Sequence, residues 1–306
     1  MLNYVLRRLA QAGLILLGVS FITFALLYVL PADPAVQIAG RSATPETVAS
    51  IRAQLGLDQP LLAQYWNYLS NLAQGDFGRS YLQKTEVSTL IQSRIGPSLS
   101  LMFFAILIEL IIGLSAGIYS AMRRGKISDN VVMVSSFIAI SAPQFIISIF
   151  VLYIFAVKLG WFPIGGYGKP IHYVLPALTL GILGSGWYSR VMRSSMIDVL
   201  RQDYIRTARA KGAPISRIIR VHAFKNAVLP IIAMIGLDIG IFMGGIVVVE
   251  SVFGWPGIGQ LAWQAIQRVD IPIIMAVTLV SAIAIVIGNL IADLIAPFVD
   301  PRIRLK

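Results

Sequence analysis

The sequence predicts an all-α integral membrane protein with six transmembrane helices and cytoplasmic N- and C-termini. Of its 306 residues, 57% are hydrophobic and only 13% are charged, and the mean hydropathy is +0.78. A soluble domain of this length needs far more charge to cover its surface. A transmembrane helix needs about 20 mostly apolar residues. Six segments meet this requirement: 9–30, 98–122, 131–157, 173–192, 229–250 and 272–296.

Lysines and arginines predict the orientation. With the N-terminus inside, 17 of the 25 basic residues fall in inside segments, as the positive-inside rule requires. The net charge of +11 is therefore interpreted as a topology signal, and nucleic acid is not expected as a partner. The first apolar run is longer than a signal-peptide core and lacks a convincing cleavage pattern, so we expect it to be retained as a span.

The later spans are irregular. The fourth is short and contains Pro176 and three glycines, so neighbouring helices should shield its backbone from lipid. Pro143 interrupts the third span and either marks a bend or is an ordinary kink shielded by neighbouring helices, and we favour the ordinary kink. In the fifth span, a glycine every fourth residue predicts a small-residue face for close packing. These glycines are Gly236, Gly240 and Gly244.

The outside segment 31–97 is long enough to fold locally. Thr44 as N-cap, Pro45 at the first helical position and Gly56 as the stop predict a short helix. A second helix is predicted from the spacing of four residues on one face: Leu61, Tyr65, Tyr68 and Leu72. The stretch GDFGRS, at 75–80, predicts a turn.

The chain lacks the residue patterns of an enzyme or a metal site. It has no cysteine, which excludes disulfides, thiolate metal sites and cysteine nucleophiles. No G-x-x-x-x-G-K-[ST] loop is present to cradle ATP. His172 and His222 lie on opposite sides of the membrane in the predicted topology, so they cannot share a metal, and no serine–histidine–aspartate triad is expected. We predict a non-enzymatic chain that binds no cofactor.

Three acids fall within spans or at their ends, namely Glu109, Asp238 and Glu250. A charge at the bilayer centre is costly, so each should face protein or water. Each either lines a translocation path or makes a hydrogen bond between helices. We favour the hydrogen bond for Glu109 and the path for Asp238, and expect Glu250 at the outer boundary. The path candidates are Glu109, Asp238, Met243 and Glu250.

A basic segment, DYIRTARAKGAPISRIIRVHAFKNAVLP at 203–230, separates the fourth and fifth spans. Asp203 can cap a helix that begins at Tyr204, and Gly212 stops it. Ser216 can cap a second helix with one apolar-leaning face, formed by Ile215, Ile218, Ile219 and His222. Three roles are open: binding of anionic lipid, a plain topology anchor, or docking to a cytoplasmic protein. The ordered turn favours docking.

This segment resembles the EAA loop of ABC importer permeases. Against the general pattern E-A-A-x-x-x-G, only Ala208 and Gly212 agree. The similarity is closer to the dipeptide, oligopeptide and nickel branch, in which DYIRTARAKG is followed by H-x-x-x-N-A-x-L-P. Further similar stretches are YVLRRL (4–9), LPADP (30–34), LGLDQP (55–60), GDFGRS (75–80), VVVESVFGWPGIGQL (247–261) and DPRIRLK (300–306). Ala32 and the RVDIP at 268–272 depart from the pattern of the branch.

The resemblance implies a type I importer fold in the bacterial plasma (inner) membrane, with one span before a core of five. It implies three regions: 1–97, the permease core 98–296, and a cytoplasmic tail 297–306. The implied partners are a homologous second permease, one or two ABC ATPase subunits that hold ATP and Mg²⁺, an external solute-binding protein, and membrane lipid.

The resemblance also implies that helix 203–212 is the coupling helix, which would sit in a cleft of an ATPase subunit. The candidate docking residues are Asp203, Tyr204, Ile205, Arg206, Thr207, Ala208, Arg209, Ala210, Lys211 and Gly212. The basic residues are expected to make polar contacts, and Tyr204, Ile205 and Ala208 to supply the packed face.

On the outer side, segments 31–97 and 251–272 are expected to contact the solute-binding protein. The turn formed by Gly254, Trp255, Pro256 and Gly257 is either an outer gate or a structural corner. Dipeptides are the expected substrate, followed by longer peptides including glutathione, and then nickel chelates. Three functions of other classes remain as alternatives: a self-powered secondary transporter, a channel and a structural scaffold. The inverted halves typical of secondary transporters are not visible in the sequence.

Overall fold

The computed structural model describes residues 2–29, 34–40, 43–54 and 56–299, and these ranges contain helices but no β-strand. The helices are α1 (Leu2–Val29), α2 (Pro34–Ala39), α3 (Pro45–Gln54), α4 (Leu61–Ala73), α5 (Val87–Met122), α6 (Ile127–Ser141), α7 (Gln144–Leu152), α8 (Pro170–Leu200), α9 (Asp203–Ala210), α10 (Ile215–Arg217), α11 (Phe224–Ala227), α12 (Leu229–Gly245), α13 (Val247–Val252), α14 (Ile258–Arg268) and α15 (Ile271–Val299). Two π-helical segments follow α7 and α10, at Tyr153–Lys158 and Ile218–Ala223.

Within the described ranges, three helices are long and apolar enough to cross a membrane, in α1, α5 and α15. Two bent pairs of helices raise this number to five if each pair is one span. The predicted fourth span lies in α8, which has 31 residues but is not among these candidates, because glycine, serine and proline dilute its apolar residues. The helical membrane architecture is confirmed, whereas the sixth span and the orientation of the termini stay predictions.

The predicted third span is not a single kinked helix. The segments Ile127–Ser141 and Gln144–Lys158 meet at an angle of 100°. Ala142 and Pro143 both adopt extended backbone, with ψ of 126° and 125°. A proline lacks the N–H that would continue a helix, and it disfavours helical geometry in the residue before it. The expectation of an ordinary kink was wrong, because Pro143 ends one helix and begins another.

The central packing unit is the pair formed by α5 and α8, the most extensive helix contact in the described chain. Gly117 on α5 permits this approach, since a Cβ there would lie 2.6 Å from the carbonyl oxygen of Ser189 on α8. On its other side, α8 approaches α6 equally closely: a Cβ on Gly186 would lie 2.6 Å from the carbonyl oxygen of Ser136. The prediction that neighbouring helices shield this glycine-rich span is confirmed.

The glycine face of α12 packs against α15. A Cβ on Gly240 would lie 3.1 Å from Cα of Ile285, and a Cβ on Gly288 of α15 would lie 2.7 Å from the carbonyl oxygen of Gly236. The predicted small-residue face is therefore confirmed at two of its three positions. The surroundings of Gly244 lie outside the part of the chain that is described.

The outside segment folds largely as predicted. Oγ1 of Thr44 accepts a hydrogen bond of 3.3 Å from the third residue along, at the start of α3, and Gly56 ends that helix with φ of +65°. The hydroxyl of Tyr65 on α4 lies 2.9 Å from Oγ of Ser20 on α1. Leu61 is an exception, since it is exposed rather than packed.

Candidate functional site

The segment between α8 and α12 forms a compact helical knob. α9 starts at Asp203, one residue earlier than predicted, and no side chain caps it. Instead of capping, the Asp203 carboxylate lies 3.5 Å from Nη1 of Arg206 at the surface. Gly212 has φ of +74°, a left-handed conformation that favours glycine, so it stops the helix as predicted.

The second half of the knob differs from its prediction. Pro214, not Ser216, precedes the first helical residue, and the helix continues through a π-helical segment to Ala227. Ile218 is buried, whereas Ile215 is 49% exposed. The predicted apolar face is therefore only partly buried.

The inner face of α9 packs on the chain itself. Ile205 is fully buried, and Ala208 is 9% exposed. We call the surrounding cluster the lever core; it joins α9 to α8, to the π-helical segment and to α12. Its buried residues are Ala121, Tyr188, Met192, Met196, Ile205, Ala208, Ile218, Ala223, Ala227 and Ile231. The expectation that Ile205 and Ala208 pack on a partner was wrong. The two residues are three positions apart and therefore lie on the same face of the helix, which here faces the chain's own core.

The outer face of α9 is exposed and basic. Nδ2 of Asn226 donates a 2.7 Å hydrogen bond to the Tyr204 hydroxyl, which fixes the start of this face. No ion pair of Arg209 or Lys211 is found among the described residues. The exposed positions are Asp203, Tyr204, Arg206, Thr207, Arg209, Ala210, Lys211 and Gly212. Eight of the ten predicted docking residues thus share one accessible surface.

Two of the predicted path acids meet where α5, α8 and α12 come together. The Tyr188 hydroxyl donates a hydrogen bond to Oδ2 of Asp238, and the Glu109 carboxyl adjoins the same Asp238. Glu109 is 2% exposed, and its Oε2 has no hydrogen-bond partner among the described residues. A side chain at Gly184 would collide with this carboxyl, so the glycine makes room for it.

The geometry favours the predicted contact between helices for Glu109. Glu109 belongs to α5 and Asp238 to α12, so the approach of the two carboxyl groups joins these helices. Asp238 is only half-buried, and a path-lining position for it stays a prediction. Met243 lies in α12, and its side chain lies outside the part of the chain that is described.

Glu250 has a structural environment. It is 1% exposed and accepts a hydrogen bond of 2.7 Å from Oγ of Ser98 and one of 2.8 Å from the backbone N–H of Gln260. That N–H belongs to the first turn of α14, where the helix dipole favours an anion. Ser98 in turn accepts a 2.8 Å hydrogen bond from the N–H of Ile258. The carboxylate therefore joins the N-terminal part of α5 to α14.

The neighbouring turn has the contacts of a structural corner. Trp255 is fully buried, and its indole N–H donates a 3.1 Å hydrogen bond to the carbonyl oxygen of Pro97. Tyr167 and Tyr173 pack edge-on against the indole, with ring centroids 4.9 and 4.6 Å away. Gly254, with φ of +60°, reverses the chain before it. This packing favours the corner over the predicted outer gate.

The sequence analysis missed an ion pair that ties α6 to α8. Nε and Nη2 of Arg193 each lie 2.7 Å from one carboxylate oxygen of Asp129, which is 1% exposed. The Ser120 hydroxyl and the N–H of Gly125 donate to the same carboxylate. In the sequence, Arg193 was counted only among the basic residues that predict the membrane orientation. An acid in the first turn after the basic run 123–126 was the signal that could have revealed this contact.

A second missed contact lies in the segment predicted to be outside. Asp270 is 2% exposed and accepts hydrogen bonds from Oγ of Ser80 at 2.5 Å and from the N–H of Tyr81 at 3.3 Å. The turn at 75–80 is thus fastened to the start of α15. Burial, followed by the neighbouring Asp270 carboxylate, raises the pKa of Tyr81 to about 12.

Proteins similar to this chain include subunits of bacterial membrane transport systems. Residues 113–305 match the family described as binding-protein-dependent transport system inner membrane component, and residues 1–102 match the N-terminal family of the same systems. Relatives include the glutathione transport system permease protein GsiC of Escherichia coli strain K12 and of Shigella flexneri serotype 5b. Each is 40% identical over 306 residues, covering 100% of both chains.

Solved structures show the same fold. Two crystal forms of the MetNI methionine ABC transporter, in inward-facing conformations, match with TM-scores of 0.59 and 0.57. The sequence identities are 18% and 20%, and each match covers 69% of this chain and 96% of the other. The likeness establishes a shared architecture with the membrane subunit of a type I importer.

Proposed function

Because this chain belongs to the family of binding-protein-dependent inner-membrane permeases, we propose that it carries short peptides of the glutathione class across the bacterial inner membrane. As a member of that family it is a multi-pass permease subunit of an ABC importer and not an enzyme. It works with a second permease, ATPase subunits and an external binding protein. Its fold is that of a type I importer permease.

The substrate proposal is carried by the similarity to GsiC. Relatives named as glutathione transport permeases are 40% identical and align from end to end, so path, gate and docking surfaces are all included in the match. Glutathione is itself a short peptide, and the proposal therefore joins the expected peptide class with the compound that these relatives are named for.

We further propose that α9 is the coupling helix and that ATP and Mg²⁺ are bound by the ATPase subunits alone. The support is the two-sided character of α9. Its outer face offers exposed basic groups such as Arg209, while Ile205 packs its inner face onto the lever core. A protein core is close-packed and transmits displacement. A push on α9 would therefore move α8 and α12 together, as a switch between inward- and outward-facing states requires.

The external binding protein is proposed to dock on the outside segment 31–97 and the loop 251–272. α4 supports this proposal, since Leu62 is 77% exposed and Trp66 is 73% exposed. Large exposed apolar side chains that lie one helical turn apart are typical of protein contact sites. Asp238, which is half-buried, remains the candidate for a path-facing polar contact.

The substrate is tested with the assembled importer in proteoliposomes. Uptake of labelled glutathione should require ATP, the binding protein and this chain, and unlabelled short peptides should compete according to their affinity for the binding protein. Uptake of a dipeptide with no response to glutathione would overturn the substrate class. Uptake by this chain alone, without ATPase subunits, would overturn the importer mechanism in favour of a secondary transporter.

The docking face is tested by charge reversal. The double substitution Arg206→Glu and Arg209→Glu should release the ATPase subunits or abolish ATP-dependent uptake, because it replaces two exposed cations of α9. The matched control is Arg217→Glu with Arg220→Glu, which makes the same charge change at exposed positions outside α9. Equal losses in the two variants would show that net charge, rather than docking through α9, sets the outcome.

A further inference from the structure

A groove of about 840 Å³ lies where α5 ends and α6 begins, outside the coupling segment. Its lining changes in character along its length. Arg123, Gly125 and Lys126 lie at the junction of the two helices and form its cationic end, and Tyr119, Val131 and Val132 supply an adjoining apolar wall. The groove therefore presents a cationic end and an apolar wall side by side.

Neither Arg123 nor Lys126 forms an ion pair among the described residues, although the Asp129 carboxylate accepts a hydrogen bond of 2.9 Å from the N–H of Gly125 at this end. The guanidinium of Arg123 lies 5.1 Å from the ring centroid of Tyr119, a cation–π contact that fixes its position. Lys126 immediately precedes the 15-residue helix α6, whose positive dipole end adds to the field. The nearby acid, Asp129, is already engaged by both donor nitrogens of Arg193.

A hydroxyl without a partner lies at the same end. Ser128 lines the groove, and its Oγ is shielded from water yet makes no hydrogen bond within the described chain. Leaving a buried hydroxyl unpaired is unfavourable. A serine side chain moves readily between staggered rotamers, so an oxygen-rich group bound between Arg123 and Lys126 would give this hydroxyl an acceptor.

The apolar wall runs away from the charges along α6. Ile127 is 83% exposed and Val131 is 58% exposed, and the bent segment that begins at Ile127 is a candidate membrane span. The cationic end thus lies at the end of a span, at the level where lipid headgroups meet the hydrocarbon. Exposed valine and isoleucine there are suited to an acyl chain.

We propose that this groove is a specific site for one anionic phospholipid, such as phosphatidylglycerol. The phosphate lies between Arg123 and Lys126 and accepts a hydrogen bond from Ser128, while an acyl chain lies along Tyr119 and Val131. The positive charge and the apolar wall together indicate this occupant. A free phosphate would leave the apolar wall uncovered, and the headgroup of a zwitterionic lipid would bring a second cation beside Arg123. The lipid would hold the end of α5 and the start of α6 together.

The test uses the assembled importer in nanodiscs of phosphatidylcholine with added phosphatidylglycerol, and native mass spectrometry to count retained lipid. Each cation near an anionic headgroup contributes about 1 kcal/mol, which is about fivefold in affinity. Arg123→Gln should therefore weaken retention about fivefold, and combining it with Lys126→Gln about thirtyfold. Arg123→Lys keeps the charge and should retain the lipid.

Arg124→Gln is the matched control, because Arg124 is exposed, adjacent and of equal charge but does not line the groove. It should leave retention within about twofold of the wild type. Val131→Gln keeps every charge and should still weaken retention, whereas added inorganic phosphate should displace nothing. Unfolding temperatures in pure phosphatidylcholine should be the same for all variants, which confirms that they fold.

Three results would overturn the proposal. Equal loss in Arg124→Gln and Arg123→Gln would mean general attraction to an anionic surface. Displacement by phosphate, or unchanged retention in Val131→Gln, would mean a site for a free anion. Absence of retained phosphatidylglycerol in the wild type, together with weaker ATPase binding in Arg123→Gln, would mean that a partner subunit covers the groove.

Discussion

Replacing Ile205 by alanine should detach α9 from the lever core while leaving its outer face intact. Ile205 is fully buried, and Ala208 is the only other buried residue of this eight-residue helix. Each buried methylene contributes about 0.8 kcal/mol, three carbons are removed, and a cavity remains. Buried isoleucine-to-alanine changes accordingly cost about 2–5 kcal/mol.

The loss should be local, because a helix as short as α9 has little stability apart from its packing. A cost of about 2 kcal/mol raises the population of the detached state about thirtyfold. ATP hydrolysis should continue, since the ATPase subunits and the docking face are unchanged. Transported substrate per ATP should fall, because a detached α9 moves without carrying α8 and α12.

Two measurements check this prediction. Hydrogen exchange of the amides at 203–212 should accelerate, and the ratio of uptake to ATP hydrolysis in proteoliposomes should fall. Ile215→Ala is the control, because it makes the same chemical change at a residue that is 49% exposed in the same segment. Accelerated exchange in Ile205→Ala with an unchanged transport ratio would refute α9 as the lever.

Four further outcomes are expected in the purified protein. Gly257→Ala should lower the thermal unfolding midpoint, measured by circular dichroism, because the added Cβ would collide with a buried carboxylate. An unchanged midpoint would contradict that packing. Asp270→Ala should speed proteolysis of the outside turn, since hydrogen bonds to a buried acceptor are lost at about 1–3 kcal/mol each. Raising the pH from about 10 towards 12 should lower the free energy of unfolding, because Tyr81 holds its proton more tightly in the folded state than in the unfolded state, where its pKa is near 10. Tyr81→Phe should remove that portion of the pH dependence, as measured by fluorescence-detected unfolding. Asp238→Asn, which keeps an acceptor for a tyrosine hydroxyl, should unfold at a higher temperature than Asp238→Ala, and the reverse order would contradict the hydrogen bond.

Features set by composition or by local backbone rules could be predicted from the sequence. The spans in α1, α5 and α15 follow from long apolar runs. The helix stop at Gly212 follows from its position just past a periodic segment, and the cap at Thr44 from its hydroxyl before a proline. These signals lie within a few residues of the feature that they predict, so no knowledge of the rest of the fold is needed.

Features that depend on distant partners could not be predicted. Glu250 looked like a path residue until Ser98, 152 positions earlier in the chain, proved to be its donor. Ile205 looked available to a partner because the residues that bury it belong to other helices. The 100° bend at Pro143 was underestimated, since a proline in an apolar run is compatible with a mild kink and with a complete break.

The interlocked glycines of α5 and α8 have a consequence for how such permeases diverge. Gly117 faces Met192, and a Cβ on the glycine would lie 2.7 Å from the methionine Cβ, so no larger residue is tolerated there while the opposite backbone stays in place. We expect substitutions at the two positions to arise jointly during evolution, one gaining volume where the other loses it. The shared surface would then be inherited as a unit, whichever solute the lineage came to import.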